Sequence, residues 1–285
     1  MDSYLITGGT GSFGSAIVRA LLRDTRPERI VVFSRDEHKQ FVMREELPPD
    51  PRLRWFLGDV RDRGRLRRAF EGVRYVVHAA ALKQVGAAEF NPGEALKTNA
   101  DGAQNVIEAA LDAGVARTLL ISTDKAVNPV SLYGATKLVA ERLFLAAHAY
   151  AGDRPCQFAV LRCGNLIGSR GSVVPYWRSL IAAGAESLPV TDAQATRYWL
   201  EEGVAIEAAL RALRGPYAAL TMPDMWAFRV GDLAAAFGLP VRLIGLRAGE
   251  KLHEELGDGR TSETAPRLTV DELRRFLALP GPAPE

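Results

Sequence analysis

Between a short apolar stretch, Tyr4-Leu5-Ile6, and a helical repeat of apolar residues, Ile17, Val18, Leu21 and Leu22, stands TGGTGSFG, residues 7 to 14. Gly8, Gly11 and Gly14 fall at GxxGxxG spacing. A strand that turns at once into a helix over small residues lets the backbone approach a ligand. It also aims the N–H groups and positive end of the helix at one point, the arrangement that holds a pyrophosphate. A lone glycine pattern is weak, but a place between strand and helix gives it weight against a merely structural turn. The chain is therefore expected to begin with a nucleotide-binding βα unit.

The rest of the first half continues that rhythm. Apolar runs at 30–33, 54–57, 75–78, 118–121 and 158–161 read as strands, with helical patterns between them. A long helix is expected from Asn91-Pro92 through Asn99, Val106, Ile107 and Ala110. Such alternation predicts an α/β fold, a Rossmann-type doubly wound parallel sheet whose ligands sit outside the carboxyl ends of the strands. After residue 163 the pattern gives way to RCGNLIGSRGSV and to short elements broken by Pro175, Pro189, Pro216, Pro223 and Pro240. We read residues 1–163 as the dinucleotide-binding domain and 164–279 as a smaller C-terminal substrate-binding lobe walling a cleft. The chain is free to cross back between them, and 280–285 are expected to form a disordered tail.

The net charge of +2 over 285 residues gives no argument for nucleic acid. Arg61, Arg63, Arg65, Arg67 and Arg68 cluster on one expected helix, and a solvated face is favoured over an anionic-partner site. No run approaches the roughly 18 apolar residues of a membrane span, and the early strand leaves no room for a signal peptide. Cys156 and Cys163 lack any CxxC or Cys/His pattern, so core thiols in a reducing compartment, cytoplasmic by default, are expected, with no metal.

The end of the second strand bears on the cofactor. A carboxylate there would accept from the adenosine ribose of NAD and repel a 2′-phosphate. Instead the strand runs into Ser34-Arg35 with Lys39 a turn later, which favours NADP over NAD, tempered by Asp36. Asp59 suits either the adenine amino group or a helix cap. Ala79, Ala80 and Ala81 suit close passage along a cofactor, and His78 is assigned to packing rather than chemistry.

The central expected strand ends in Ser122, Thr123, Asp124 and Lys125, and Asn128-Pro129 marks a loop. Ser131 is the expected N-cap of a helix carrying Tyr133 and Lys137. Residues four apart share a helix face, so the Lys137 ammonium is expected to lower the Tyr133 phenol toward neutrality. An incidental surface pair is the alternative, and the preceding STDK argues against it.

With these strings in place, the chain resembles the extended short-chain dehydrogenase/reductase superfamily. More narrowly it is similar to the inverting UDP-N-acetylglucosamine 4,6-dehydratases of the pseudaminic acid pathway type and their polysaccharide-biosynthesis relatives. The carrying strings are FSRDEHKQ (33–40), GDVRD (58–62), HAAALKQV (78–85), STDKAVNPVSLYGATK (122–137), GNLIGSRGSVVP (164–175), TDAQATRYWL (191–200) and GEKLHEEL (249–256). The resemblance implies NADP held by Gly8, Thr10, Gly11, Ser12, Phe13 and Gly14, by Ser34, Arg35 and Lys39, and by Asp59 and Val60. Ala79, Ala80, Ala81, Lys83, Asn99, Tyr133 and Lys137 complete that set. It implies a UDP-sugar held by Lys83, Asn165, Arg170, Ser172, Val173, Thr191, Thr196, Arg197 and Glu250, and a homo-oligomer. The chain departs from the family at Gln84, usually histidine, at Gly86, usually proline, and at Met222, commonly basic; the sequence after GEKLHEEL is also short.

The implied chemistry uses Tyr133 as base on the sugar 4-hydroxyl, with Lys137 holding phenolate and ribose and Thr123 bonding the 4-oxygen. Lys125 would take the C5 proton and Asp124 would protonate the departing 6-hydroxyl. A lysine is a poor base near neutrality unless burial and neighbouring charge depress it. A salt-bridged strand end is the plainer reading of Asp124-Lys125. Arg170 and Arg197 suit a diphosphate or an intramolecular ion pair. A UDP-sugar epimerase and a non-catalytic dinucleotide-binding protein are the competing functions.

Overall fold

β1 (Ser3–Thr7) is buried along its whole length, as an inner strand covered on both faces must be. The computed structural model describes residues 2–24 and 26–279, so the expectation for 280–285 lies outside the described residues. The chain continues through α1 (Ser12–Asp24), β2 (Arg29–Ser34), α2 (Glu37–Glu46), β3 (Leu53–Leu57), α3 (Arg63–Phe70) and β4 (Tyr75–His78). Then come α4 (Val85–Phe90), α5 (Pro92–Leu96), a π turn (Lys97–Asp101), α6 (Gly102–Ala113) and β5 (Arg117–Thr123). A 3₁₀ turn (Asp124–Ala126), α7 (Leu132–Ala151) and β6 (Gln157–Cys163) follow.

The seven-stranded sheet has the order Leu220–Thr221, β6, β5, β4, β1, β2, β3. β1 pairs in parallel with both β2 (Ile6 beside Val32) and β4 (Ile6 beside Val77). Strand order reverses at β1, so the carboxyl ends of β1 and β4 form the switch point where doubly wound sheets bind ligands. The expected Rossmann-type sheet is present. Its core joins sheet residues Phe33, Val76 and Phe158 to Leu66 and Phe70 of α3, Val106 and Ile107 of α6, and Phe144 of α7. Phe144 is fully buried, so its truncation to alanine would cost ~3–5 kcal/mol.

The long helix expected from Asn91-Pro92 is present as one helical run over 92–113, with a π turn at Lys97–Asp101. Within that turn Asn99 is buried and bonds outward to Leu82 rather than facing a helix neighbour. The arginine-rich α3 is a solvated face: Arg63 pairs with Glu108, Arg67 with Asp112 at 3.2 Å and Arg68 with Glu71 at 2.9 Å.

Two compact units result. The first runs to Arg162 and takes up Glu202–Pro223 again; the second holds Cys163–Glu201 and the chain from Asp224 onward. Residues 202–223 are thus a stretch, inside the 164–279 expected for the smaller lobe, over which the chain crosses back to the first unit. The reason is pairing: Leu220–Thr221 adds a parallel strand beside Val160 and Leu161 of β6, and helix Glu202–Arg214 packs on α1 and β5. The second unit has a three-stranded sheet of Trp226–Arg229, Thr196–Leu200 and Asn165–Leu166. Its core joins Trp177, Trp199, Phe228, Leu233 and Leu273.

Candidate active site

At the end of β1 the glycine turn presses on the end of β4. Gly8 has φ +65°, and a Cβ there would lie 2.7 Å from the Ala80 nitrogen. Only glycine tolerates both the left-handed backbone and that approach. The turn closes with the Gly11 N–H donating to the Gly8 carbonyl at 2.8 Å, and α1 starts at Ser12. Gly8, Thr10, Gly11, Ser12, Phe13, Gly14, Ala79, Ala80 and Ala81 therefore gather at the switch point, a cradle whose space a side chain would fill. That cradle, backed by the amino end of a 13-residue helix, fits a dinucleotide pyrophosphate.

At the end of β2, Ser34 is buried and its hydroxyl accepts from Gln40 Nε2 at 3.1 Å. Gln40, which sequence reasoning missed although it closes FSRDEHKQ, also donates to the carbonyls of Ser34 (3.1 Å) and Phe56 (2.9 Å). Lys39 is half-exposed and pairs with Asp36 at 2.7 Å, while Arg35 lies 3.9 Å from Asp59. Asp36 is the N-cap of α2. Asp59 does not cap a helix, since Asp62 caps α3. It accepts from the Arg61 backbone at 3.0 Å. Burial would push the Asp59 carboxyl up, but the hydrogen bonds and charge of Arg61, with Arg35 behind, bring it below the usual range. Val60 is buried, and its carbonyl accepts from Asn105.

Asn99 is buried in the π turn and bonds within the protein. Its Oδ1 accepts from Leu82 N–H at 2.8 Å, and its Nδ2 donates to the Leu82 carbonyl and to Thr136 Oγ1, each at 3.0 Å. These three bonds tie Leu82 to Thr136 of α7. Lys83 follows that segment on the exposed surface.

β5 delivers the chemistry-bearing residues. Thr123 Oγ1 donates to Asp124 Oδ1 at 2.8 Å, and Lys125 Nζ donates to the same oxygen at 3.1 Å. Asp124 is fully buried, and its Oδ2 has no hydrogen-bond partner. Ser131 caps α7 through the Gly134 N–H at 3.1 Å, as expected. Gly134 is required here: a Cβ would lie 2.2 Å from the Lys125 carbonyl oxygen. Its absence lets α7 seat Tyr133 beside Thr123, whose hydroxyl hydrogen-bonds the phenol.

One expectation is corrected. Burial pushes the Tyr133 phenol up to about 12, and the opposing positive charge comes from Lys125, not Lys137. Lys137 points its Nζ at the Ile121 carbonyl, 2.8 Å away. Burial brings that ammonium down to about 8, against the pull of Glu141. His78 serves packing, as read: it is buried, stacks on Phe144 and meets Thr7 Oγ1 through Nδ1 at 2.7 Å.

A model of the family described as polysaccharide biosynthesis protein matches residues 4–270. The chain belongs to that family. A UDP-N-acetylglucosamine 4,6-dehydratase (inverting) of Campylobacter jejuni is 49% identical over 257 residues, 88% of this chain and 76% of that one. A UDP-glucose 4-epimerase of Rickettsia akari is 39% identical, covering 98% of this chain and 82% of its own. The X-ray structure of Pen from Bacillus thuringiensis aligns with TM-score 0.91 at 31% identity, covering 97% of both chains. DesIV, a dTDP-glucose 4,6-dehydratase of Streptomyces venezuelae with NAD and TYD bound, aligns with TM-score 0.82 at 26% identity, covering 97% and 96%.

In this polysaccharide biosynthesis family member the second unit places its expected substrate residues unevenly. Ser172 is the N-cap of helix Val173–Ala182, and its buried hydroxyl has no hydrogen-bond partner. Asn165 and Arg170 precede it on a short strand and a loop. Thr191 and Glu250 are partly exposed. Thr196 is instead buried, with Oγ1 bonded to His253 Nδ1 (2.8 Å) and Ser262 Oγ (2.7 Å), so it knits the GEKLHEEL segment to its sheet. Arg197 donates to the carbonyls of Thr196 (2.7 Å) and Leu252 (3.1 Å) and lies 3.8 Å from Glu254. The intramolecular reading left open for Arg197 describes this geometry. Among the described residues no helix is long and apolar enough to cross a membrane, and no group of three His, Cys, Asp or Glu could hold a metal.

Proposed function

We propose that the protein is an NADP-dependent nucleotide-sugar 4,6-dehydratase acting on UDP-N-acetylglucosamine with inversion at C5. One observation carries this reading: Thr123 and Tyr133, the set a hydride-transfer enzyme needs, stand beside a second acid–base pair, Asp124 and Lys125. Simple oxidation and reduction at C4 has no use for that second pair; elimination of water does. The Campylobacter jejuni relative carries this activity in its name, and DesIV was crystallised with NAD.

The nicotinamide dinucleotide would lie over Gly8 and Gly11, with its adenosine end at Ser34, Arg35 and Lys39. When bound it would supply the hydride acceptor for C4 and the hydride donor for C6. Tyr133 takes the proton of the 4-hydroxyl, and Lys137 steadies the phenolate. Thr123 donates to the 4-oxygen. The C4 ketone acidifies the C5 proton, which Lys125 removes. Asp124 gives a proton to the 6-hydroxyl, which leaves as water; a solvent proton then reaches C5 on the face away from Lys125, and Lys125 passes its proton to Asp124, 3.1 Å away, to reset the pair. In the second unit, Asn165, Arg170 and Ser172 are the proposed diphosphate and nucleotide contacts. The cations after β2 favour a 2′-phosphate. The protein is further proposed to be cytoplasmic and to assemble as a homo-oligomer.

Incubation with UDP-N-acetylglucosamine, followed by mass spectrometry, tests the reading. A product lighter by one water is expected. The Rickettsia akari relative favours the second reading, a UDP-sugar 4-epimerase, which gives a product of unchanged mass. Fluorescence titration with NADPH and NADH separates the two cofactors.

A further inference from the structure

Behind the catalytic helix lies a buried ionic group that the proposed reaction does not use directly. Tyr133, Lys137 and Glu141 are spaced four apart and share one face of α7. Glu141 is 1% exposed. Its Oε1 accepts from Ser122 Oγ at 2.6 Å and from Arg162 Nε at 3.1 Å, and its Oε2 accepts from Arg162 at 2.5 Å. The neighbouring carbonyl on β5, that of Ile121, takes the Lys137 ammonium. Consecutive residues of one strand thus anchor the carboxylate and the amine.

A buried ion pair need not stabilise a fold over apolar residues of the same size. Burial disfavours a charged lysine, so an ammonium this deep needs a specific counter-charge. The titratable groups that act on Lys137 or share its helix face are His78 on β4 and Tyr133 and Glu141 on α7, with Asp124 and Lys125 beside Tyr133 and Arg162 on Glu141. His78 is neutral, and Asp124 is bonded to Lys125. Glu141 remains as the carboxylate that acts on Lys137.

We propose that Glu141 is a positioning residue for Lys137: its carboxylate, locked by Ser122 and Arg162, keeps the ammonium charged and seated on β5. The role in turnover rests on the Tyr133–Lys137 reading above; the effect on Lys137 itself does not. The chain has six lysines, so Cε-labelled lysine NMR on the ligand-free protein follows Lys137 directly, with Lys137→Met for assignment. Wild type is expected to titrate at about 8. Glu141→Gln should move that titration down by about one pH unit or more, the usual effect of losing a near opposite charge. Glu141→Asp keeps a carboxylate one methylene shorter and should move it down by less. A Lys137 titration unmoved in Glu141→Gln, with only thermal stability lost, would overturn the proposal. If Glu141→Gln does not fold, Glu141→Asp decides, and a Lys137 titration unmoved there overturns it. In turnover with UDP-N-acetylglucosamine the alkaline limb of kcat/KM should follow the NMR shift. A moved titration with an unmoved limb leaves Glu141's hold on Lys137 standing and refutes the catalytic role given to that lysine.

Discussion

Lys125 Nζ and Asp124 Oδ1 lie 3.1 Å apart, and the other carboxyl oxygen of Asp124 is buried without a partner. Such an oxygen costs about 1–3 kcal/mol until something bonds it, and a sugar 6-hydroxyl is the partner the proposed reaction supplies. Removing Lys125 should therefore separate the two halves of the chemistry. Lys125→Met is expected to cut turnover by ~10²–10⁴-fold, the usual share of a general base. It should abolish solvent deuterium incorporation at C5 while leaving single-turnover reduction of bound cofactor visible by absorbance. Deuterium exchange at the wild-type rate would assign the C5 base to another group.

The hydroxyl of Thr123 acts on Tyr133 as well as on Asp124. Burial dominates the phenol and pushes it up to about 12, and the Thr123 hydrogen bond is among the interactions that bring it back down. Thr123→Val removes a stabiliser of the phenolate, so the acid limb of kcat/KM should move to higher pH, by about one unit or less. Tyr133→Phe should abolish cofactor reduction altogether. An acid limb unmoved in Thr123→Val would mean that the limb reports a different group.

How much of this was legible in the sequence depends on whether the signal was local. The glycine turn, the strand ends at Ser34 and Thr123 and the Ser131 cap are short-range patterns, and their residues stand where the pattern placed them. The doubly wound parallel sheet was legible from alternation; the order of its strands was not. What was not legible was pairing across distance. Nothing near Asn99 announces that its amide will bond Leu82 and Thr136, 17 and 37 residues away. Residues 202–223 look like the irregular second half, yet Leu220 pairs with Val160 in the first sheet. Nor does the string around Thr196 announce the buried hydroxyl of Ser262, 66 residues on, that it bonds. Glu141 was within reach, since the four-residue spacing that joins Tyr133 to Lys137 extends to it.

His78 makes the fold sensitive to acid. Burial, with the nearby Lys137 charge, brings the imidazole down from 6.5 to about 3, so it is neutral in the fold and protonates first when unfolded. Its contribution is complete above pH 6.5 and is lost as pH falls toward 3, at about 1.4 kcal/mol per unit. Thermal midpoints at pH 7.5 and 5.0 should differ by roughly 2 kcal/mol equivalent in the wild type. In His78→Asn the midpoint should be lower at both values but differ less between them. An unchanged difference would place the acid sensitivity elsewhere.

Asn99 offers a test of how the π turn serves the cofactor. Its amide holds both backbone groups of Leu82 and reaches Thr136, which in turn donates to the Tyr133 carbonyl at 2.8 Å. The same segment meets the glycine turn at Ala80. Asn99→Leu leaves the Leu82 groups without their partner, at about 1–3 kcal/mol for each buried group. It should lower the midpoint and weaken NADPH binding about tenfold, roughly 1.4 kcal/mol. Asn99→Asp separates geometry from stability. Ionised, it sets a carboxylate against the Leu82 carbonyl; protonated, it restores a donor. The introduced carboxyl is thus raised in the fold, and its stabilising form is present at low pH and lost as pH rises. Relative to wild type, Asn99→Asp should be less destabilised, and bind NADPH more tightly, at pH 5 than at pH 8. Equal deficits at both values would mean that the Leu82 carbonyl finds another donor and that the 79–82 segment is held by β4 and Gly8 alone.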